Sequence, residues 1–171
     1  MICPNCGHNN LPGSEQCENC LNDLTQLDQP MAHDRIERSL MEDPIQTTMR
    51  LVPPVTLPPT ATVAEAIRTM LARDIGAILV ADTSGDIIGV FSERDLLTKV
   101  AGLVPDYPER PISEFMTPDP ETVRPSDSLA FVLHKMDSGG YRHLPVLERG
   151  RPVGMISVRD MLRHLTSLCR H

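Results

Sequence analysis

What most constrains the fold of this 171-residue chain is that much of it occurs twice. Gly89-Val90-Phe91-Ser92-Glu93-Arg94-Asp95 is echoed by Gly154-Met155-Ile156-Ser157-Val158-Arg159-Asp160, 65 positions on. Further upstream the offset is 66: Pro54-Val55-Thr56-Leu57 matches Pro120-Glu121-Thr122-Val123, and Met70 matches Met136. Ile78-Leu79-Val80 likewise matches Leu144-Pro145-Val146, and the single deletion falls in the turn between Thr83 and Asp86. Self-similarity on this scale means one supersecondary unit built twice and packed against its copy.

Each copy predicts the same order of elements. Thr62 or Ser128 stands ahead of a helix, with Glu65 placed to complete a capping box in the first copy. Val63, Ala66, Ile67, Met70 and Leu71 then recur on one helical face. A short apolar strand follows, a turn at Gly85 or Gly150, and a second strand that enters a helix through the repeated motif. Aromatic residues make up only 3% of a chain that is 40% apolar. Aliphatic side chains and Met must therefore build the core. The expectation is an α/β (α+β) fold of two helix–strand–strand–helix repeats with pseudo-twofold packing.

The chain begins differently. Cys3-Pro4-Asn5-Cys6 and Cys17-Glu18-Asn19-Cys20 place four of the five cysteines in two CxxC turns. Two such turns can converge four thiolates on one tetrahedral Zn²⁺, with Gly7 where a turn of this type needs positive φ. The segment between them is polar apart from Leu11, so a metal would have to stabilise it. Iron in the same site, or two disulfides in an exported chain, are alternatives that spacing alone leaves open. Residues 1 to about 22 resemble the short zinc ribbons at the ends of many prokaryotic proteins. The fifth cysteine, Cys169, reads as a partly buried thiol.

Residues 22–30 are polar and end in proline, a hinge, and residues 31–43 form a helix using Met31, Ile36, Leu40 and Met41. Pro44 stops it, and Thr47 to Pro59, with two Pro-Pro pairs, is expected to be extended. The organisation is then a head at 1–22, a linker with a helix at 23–48, and repeats at 49–104 and 105–171. The net charge of −7 argues against nonspecific attachment to nucleic acid or anionic membrane. No apolar run reaches the roughly 18 residues of a membrane span, and the N-terminus lacks the pattern of a signal peptide. A cytoplasmic protein is expected.

The repeated motif has a structural use and a chemical one. Ser92 and Ser157 sit where a strand ends and a helix begins, as N-caps do. The free N–H groups there also suit phosphate. Asp95 and Asp160 lie one turn on, able to accept two ribose hydroxyls, and the preceding glycine would let a flat ligand approach. With these residues the body, about 32 to 168, resembles a tandem CBS-domain pair, or Bateman module. The resemblance implies a dimerising, non-catalytic module that binds AMP, ADP, ATP or S-adenosylmethionine in two clefts. It implies that Asp holds ribose, that Ser contacts phosphate, and that Thr56, Leu57, Thr122 and Val123 frame adenine. Basic residues before the strand grip phosphate in many members; Arg142 and His143 match those positions, whereas the first copy has Gly76 and Ala77. The better-equipped site is therefore Ser157, Asp160, Arg142 and His143, with Arg159 in reach, and the Ser92 and Asp95 cleft is the weaker.

No nucleophile stands in a context that would activate it, so catalysis is not expected. The first function is a ligand-sensing regulatory module that signals to a partner protein, with the ribbon as its docking head. The alternative is a nucleic-acid-binding protein led by the ribbon. It is weakened by a head that has no Lys or Arg before Arg35 and carries Glu15 and Glu18.

Overall fold

The computed structural model describes residues 1–11, 13–25, 34–49 and 51–169. It divides into two compact units, Met1–Arg38 and Ser39–His171. Residues 26–30 of the hinge expected at 22–30, and 31–33 of the helix expected at 31–43, lie outside the described residues.

In the first unit the two cysteine turns are built alike. The N–H of Cys3 donates to His8 O and that of Gly7 to Cys3 O, both at 2.9 Å. The N–H of Cys17 donates to Asn22 O at 2.9 Å, and that of Leu21 to Cys17 O at 2.8 Å. Each turn closes through a left-handed residue, which is Gly7 in the first (φ 73°) and Leu21 in the second (φ 55°). Glycine takes that conformation without steric cost. Leu11 is 71% exposed, while Leu24 is fully buried against Cys3 and Cys17. The helix α1 (Arg35–Glu42) opens on Asp34, whose Oδ1 accepts the N–H of Glu37 at 2.8 Å. A short acidic side chain at this position satisfies a donor that the helix itself cannot.

In the second unit, α2 (Ile45–Thr48) corrects the expectation of an extended segment from Thr47. Pro44 ends one helix and stands as the extended N-cap of the next, with φ −76° and ψ 155°. The hydroxyls of Thr47 and Thr48 both donate to Pro44 O, at 2.9 and 3.3 Å, and close that turn.

The first sheet runs β1 (Thr56–Leu57), β2 (Ala77–Ala81), β3 (Ile87–Ser92) and β4 (Thr117–Pro118), in that order. β1 pairs parallel with β2, and the remaining neighbours are antiparallel. Between β1 and β2 lies α3 (Val63–Arg73), capped by Thr62, whose hydroxyl accepts the N–H of Glu65 at 3.1 Å. α4 (Glu93–Asp95) follows β3 and widens into a π-helical turn at Leu96–Val100. The second copy has α5 (Leu129–Gly139), the antiparallel pair β5 (His143–Glu148) and β6 (Arg151–Ser157), and a regular α6 (Val158–Cys169). Val123 makes a parallel bridge to Val146, the place β1 holds in the first copy.

Each copy has its own core, and each core is closed by residues from the segment that leads the other copy. Ile112 and Phe115, at the head of the second copy, are buried with Val63, Met70, Ile78 and Phe91 of the first. Ile45, at the head of the first copy, is buried with Leu129, Leu144, Ile156 and Met161 of the second. Backbone bonds fix the crossings: Ile112 N–H donates to Ala61 O at 2.8 Å, and Ile45 N–H to Asp127 O at 3.0 Å.

The motif glycines serve these crossings. A Cβ at residue 154 would lie 2.8 Å from Cδ2 of Leu51, and one at residue 89 would overlap Sδ of Met116. Side chains of the crossing segments, and not a flat ligand, take the room that the two glycines leave.

Candidate functional site

Both motif copies form complete capping boxes. Asp95 Oδ2 accepts the backbone N–H of Ser92 at 2.9 Å and its hydroxyl at 2.6 Å. Asp160 Oδ2 accepts the same two donors of Ser157 at the same distances. In return the N–H of Asp160 donates to Ser157 Oγ at 3.2 Å. Two donors that a helix start leaves over are thereby satisfied reciprocally. The reciprocal box thus lies at the motifs, and at Thr62 only the threonine half of a box is made. One carboxylate oxygen of each aspartate is spent on the cap, so ligand chemistry falls to Oδ1.

Asp160 lines a cavity of about 870 Å³. One wall is the face of α6 that carries Asp160, Arg163, His164 and Ser167, spaced three and four apart as one helical face requires. Arg142 and His143 stand at the entry to β5, with Arg159 nearby on α6. The apolar wall is the extended chain of residues 51–55, joined by Met155. Arg73, Arg142, Arg159 and Arg163 against Asp74, Glu93 and Asp160 leave the lining cationic, which suits a phosphate.

Ser157, Arg159, Asp160, Arg142 and His143 thus share one cavity, and Ser92 and Asp95 lie outside its lining. Thr56, Leu57, Thr122 and Val123 are also absent from that lining. Thr56 pairs with Leu79 in the first sheet, Leu57 packs on the first core, and Val123 is buried in the second. Thr122 is half-buried, and its carbonyl accepts Lys135 Nζ at 2.9 Å. Sequence reasoning missed residues 51–55, Arg163 and His164. For the latter two the signal was available, since they follow Asp160 on its own helix face.

The copies differ at the strand entry for a steric reason. A Cβ at Gly76 would lie 3.2 Å from both Glu93 Oε2 and His143 Nε2. Gly76, at the strand entry of the first copy, therefore makes room for the imidazole at the strand entry of the second. Burial holds His143 below the usual imidazole range, Glu93 and Asp160 pull it upward, and Arg159 and Arg142 add to the depression. The unfolded chain then binds the proton more readily than the folded one. Stability from this group is present above about pH 6.5 and is lost as pH falls below that value. Thermal unfolding of the ligand-free protein should show this acid limb, and His143→Gln should flatten it below about pH 6.5.

In the first unit, the ligand atoms of Cys3, Cys6, Cys17 and Cys20 all lie within 4.8 Å of one another. Sγ of Cys3 and Cys20 are 3.6 Å apart and those of Cys6 and Cys17 3.5 Å, so the thiols converge without bonding to each other. Four sulfurs at about 2.3 Å from a central Zn²⁺ would stand roughly 3.8 Å apart, close to what is seen. Asn5 Nδ2 points at Cys20 Sγ and Asn10 Nδ2 at Cys17 Sγ, each at 3.6 Å. Donors placed behind a ligand in this way support its thiolate form. Burial pushes the Cys3 thiol up to about 11. Burial also acts upward on Cys17, but the N–H groups of Cys20 and Asn19 and the Asn10 amide outweigh it and bring that thiol to about 6. The donor set fits a thiophilic ion. Cys169, expected partly buried, is exposed.

No helix among the described residues is long and apolar enough to cross a membrane. A family model for the CBS domain matches residues 44–102 and 112–167. A CBS domain-containing protein of Arabidopsis thaliana is 36% identical over 115 residues, which cover 67% of this chain and 21% of that protein. The chain therefore spans only a small part of that relative. The crystal structure of a CBS-domain containing protein from Agrobacterium tumefaciens matches with a TM-score of 0.64 at 32% identity, covering 72% of this chain and 94% of that one. A CBS domain protein from Pyrobaculum aerophilum, solved in complex with AMP, matches with a TM-score of 0.63 at 27% identity, covering 75% and 99%.

Proposed function

The chain belongs to the CBS-domain family and carries the domain twice, and from that premise we propose that it is a non-catalytic sensor of an adenosyl ligand. The ligand occupies the cleft walled by Ser157 and Asp160, and its state is passed to a partner protein. One observation carries the reading: Asp160, with one oxygen left over from its cap, lines a cavity together with Arg142 and His143. That oxygen suits ribose hydroxyls, Arg142, His143 and Arg159 suit phosphate, and residues 51–55 with Met155 suit a base. The AMP held by the Pyrobaculum aerophilum relative supports the same ligand class.

The outlet is α1. His164 lines the cavity, and its Nε2 lies 2.9 Å from Oγ of buried Ser39 on that helix. A ligand that moves His164 therefore biases where Ser39 sits. In this reading the head is residues 1–22, the linker 23–48, and the repeats 49–104 and 105–171. Cys3, Cys6, Cys17 and Cys20 hold a structural Zn²⁺, which would fix the two turns as a zinc ribbon. The absence of Lys and Arg from residues 1–25 favours a protein over a nucleic acid as the docking partner. Leu71, Leu97, Phe131 and Leu162 are exposed and supply apolar helix surface for a cytoplasmic homodimer, which sedimentation would reveal.

Calorimetry of the zinc-loaded chain with AMP, ADP, ATP and S-adenosylmethionine tests the function. At least one should bind, and Asp160→Ala should weaken it by about 10- to 100-fold, the worth of charge-assisted hydrogen bonds. No heat from any of the four would remove the sensing role.

A further inference from the structure

The residue four places after the motif aspartate separates the two copies: it is Lys99 in the first and His164 in the second. Lys99 Nζ lies 2.6 Å from Asp95 Oδ1 and donates to Phe115 O at 2.9 Å. The hydroxyl of Thr117 donates to the same Oδ1 at 3.2 Å. With Oδ2 committed to Ser92, both oxygens of Asp95 are in use, and its side chain is only 7% exposed. Asp160 presents the opposite case. Its side chain is 37% exposed, and among the described residues the ammonium's place at Oδ1 is taken only by an exposed guanidinium, Arg163, at 3.8 Å. His164 turns away to Ser39.

We propose that Lys99 is an internal cation that closes the first motif copy to ribose hydroxyls, so that the chain takes one adenosyl ligand for its two motifs and Asp95 serves the fold. A ribose entering the first cleft would exchange an ammonium for neutral hydroxyl donors, and the carboxylate would give up the Coulomb attraction of a full counter-ion. It would also release Thr117 on β4 and Phe115 of the first core, which the Lys99 and Asp95 pair ties to the motif. The second copy has no such tie, because an imidazole directed at α1 replaces the ammonium.

This inference rests on the second-cleft reading, and two readouts separate their failures. AMP calorimetry should give one site per wild-type chain, and Lys99→Met should leave that affinity within about twofold. Two sites per wild-type chain, or AMP binding lost in Asp95→Asn but kept in Asp160→Asn, would overturn the inference. Thermal unfolding needs no ligand. Lys99→Met and Asp95→Asn should each lower Tm by roughly 2–6 °C, as expected when a buried carboxylate and a half-exposed ammonium lose each other. The double variant Lys99→Met/Asp95→Asn should fall no further than either single one. Unchanged Tm in both single variants would overturn the lock, whatever AMP does. Coupled Tm losses with no AMP binding to the wild type would keep the lock and remove the second-cleft reading.

Discussion

With the proposed zinc bound by Cys3, Cys6, Cys17 and Cys20, its removal by chelation or by Cys17→Ser should unfold the segment of residues 1–25 completely. Its buried cluster consists of Cys3, Cys17 and Leu24, with Met1 and Cys20 at the edge. Burying one leucine contributes about 1.5–3 kcal/mol. A tetrathiolate zinc contributes roughly 10–16 kcal/mol at neutral pH. The ion therefore dominates, and no graded loosening is expected. Amide NMR resonances of residues 1–25 should collapse to random-coil positions on chelation and return with Zn²⁺. Resonances of residues 44–167, whose two cores contain none of the four ligands, should keep their dispersion. A dispersed head in protein shown by mass spectrometry to carry no metal would contradict this.

The second large effect comes from the crossing segments. Ile45 and Ile112 are both fully buried. Ile45→Ala and Ile112→Ala should each cost about 2–5 kcal/mol, the usual range for emptying such a site. The location of the damage is the sharper test. Ile45 leads the first copy but packs with Leu129, Leu144 and Met161, so hydrogen-exchange protection should fall in β5 and β6. Ile112 stands near the head of the second copy but packs with Val63, Ile78 and Phe91, so protection should fall in β2 and β3. Losses confined to the copy that each residue leads would rule out the exchange.

These crossings mark the boundary of what the sequence discloses. The duplication, the strand pairs, the caps at Thr62 and Ser128 and the four converging cysteines all follow from local chemistry or fixed spacing. Asp95 and Asp160 look alike for the same reason, because a capping box is decided within four residues. Their divergence is decided elsewhere, by Phe115 and Thr117 reaching Lys99 and Asp95 from beyond the repeat. The lining of the cavity is likewise decided at a distance. Thr122 and Val123 belong to the same copy as Asp160, but the cavity wall comes from residues 51–55, brought in by a segment whose own anchor, Ile45, lies in the second core. The crossing left a trace, since Pro44-Ile45 and Met49 match Pro111-Ile112 and Met116. That trace gives the likeness of the two segments and not the direction of their exchange, which only non-local packing decides. Gly76 carries the same lesson: its missing side chain serves a histidine in the other copy.

The most direct measurement is a crystal structure of the zinc-loaded chain grown with AMP. The account predicts one nucleotide per chain, with ribose on Asp160 Oδ1, phosphate between Arg142, His143 and Arg159, and the base against residues 51–55. The Lys99 and Asp95 pair should remain closed. AMP seated instead on Asp95, with Lys99 displaced and the Asp160 cleft empty, would contradict it.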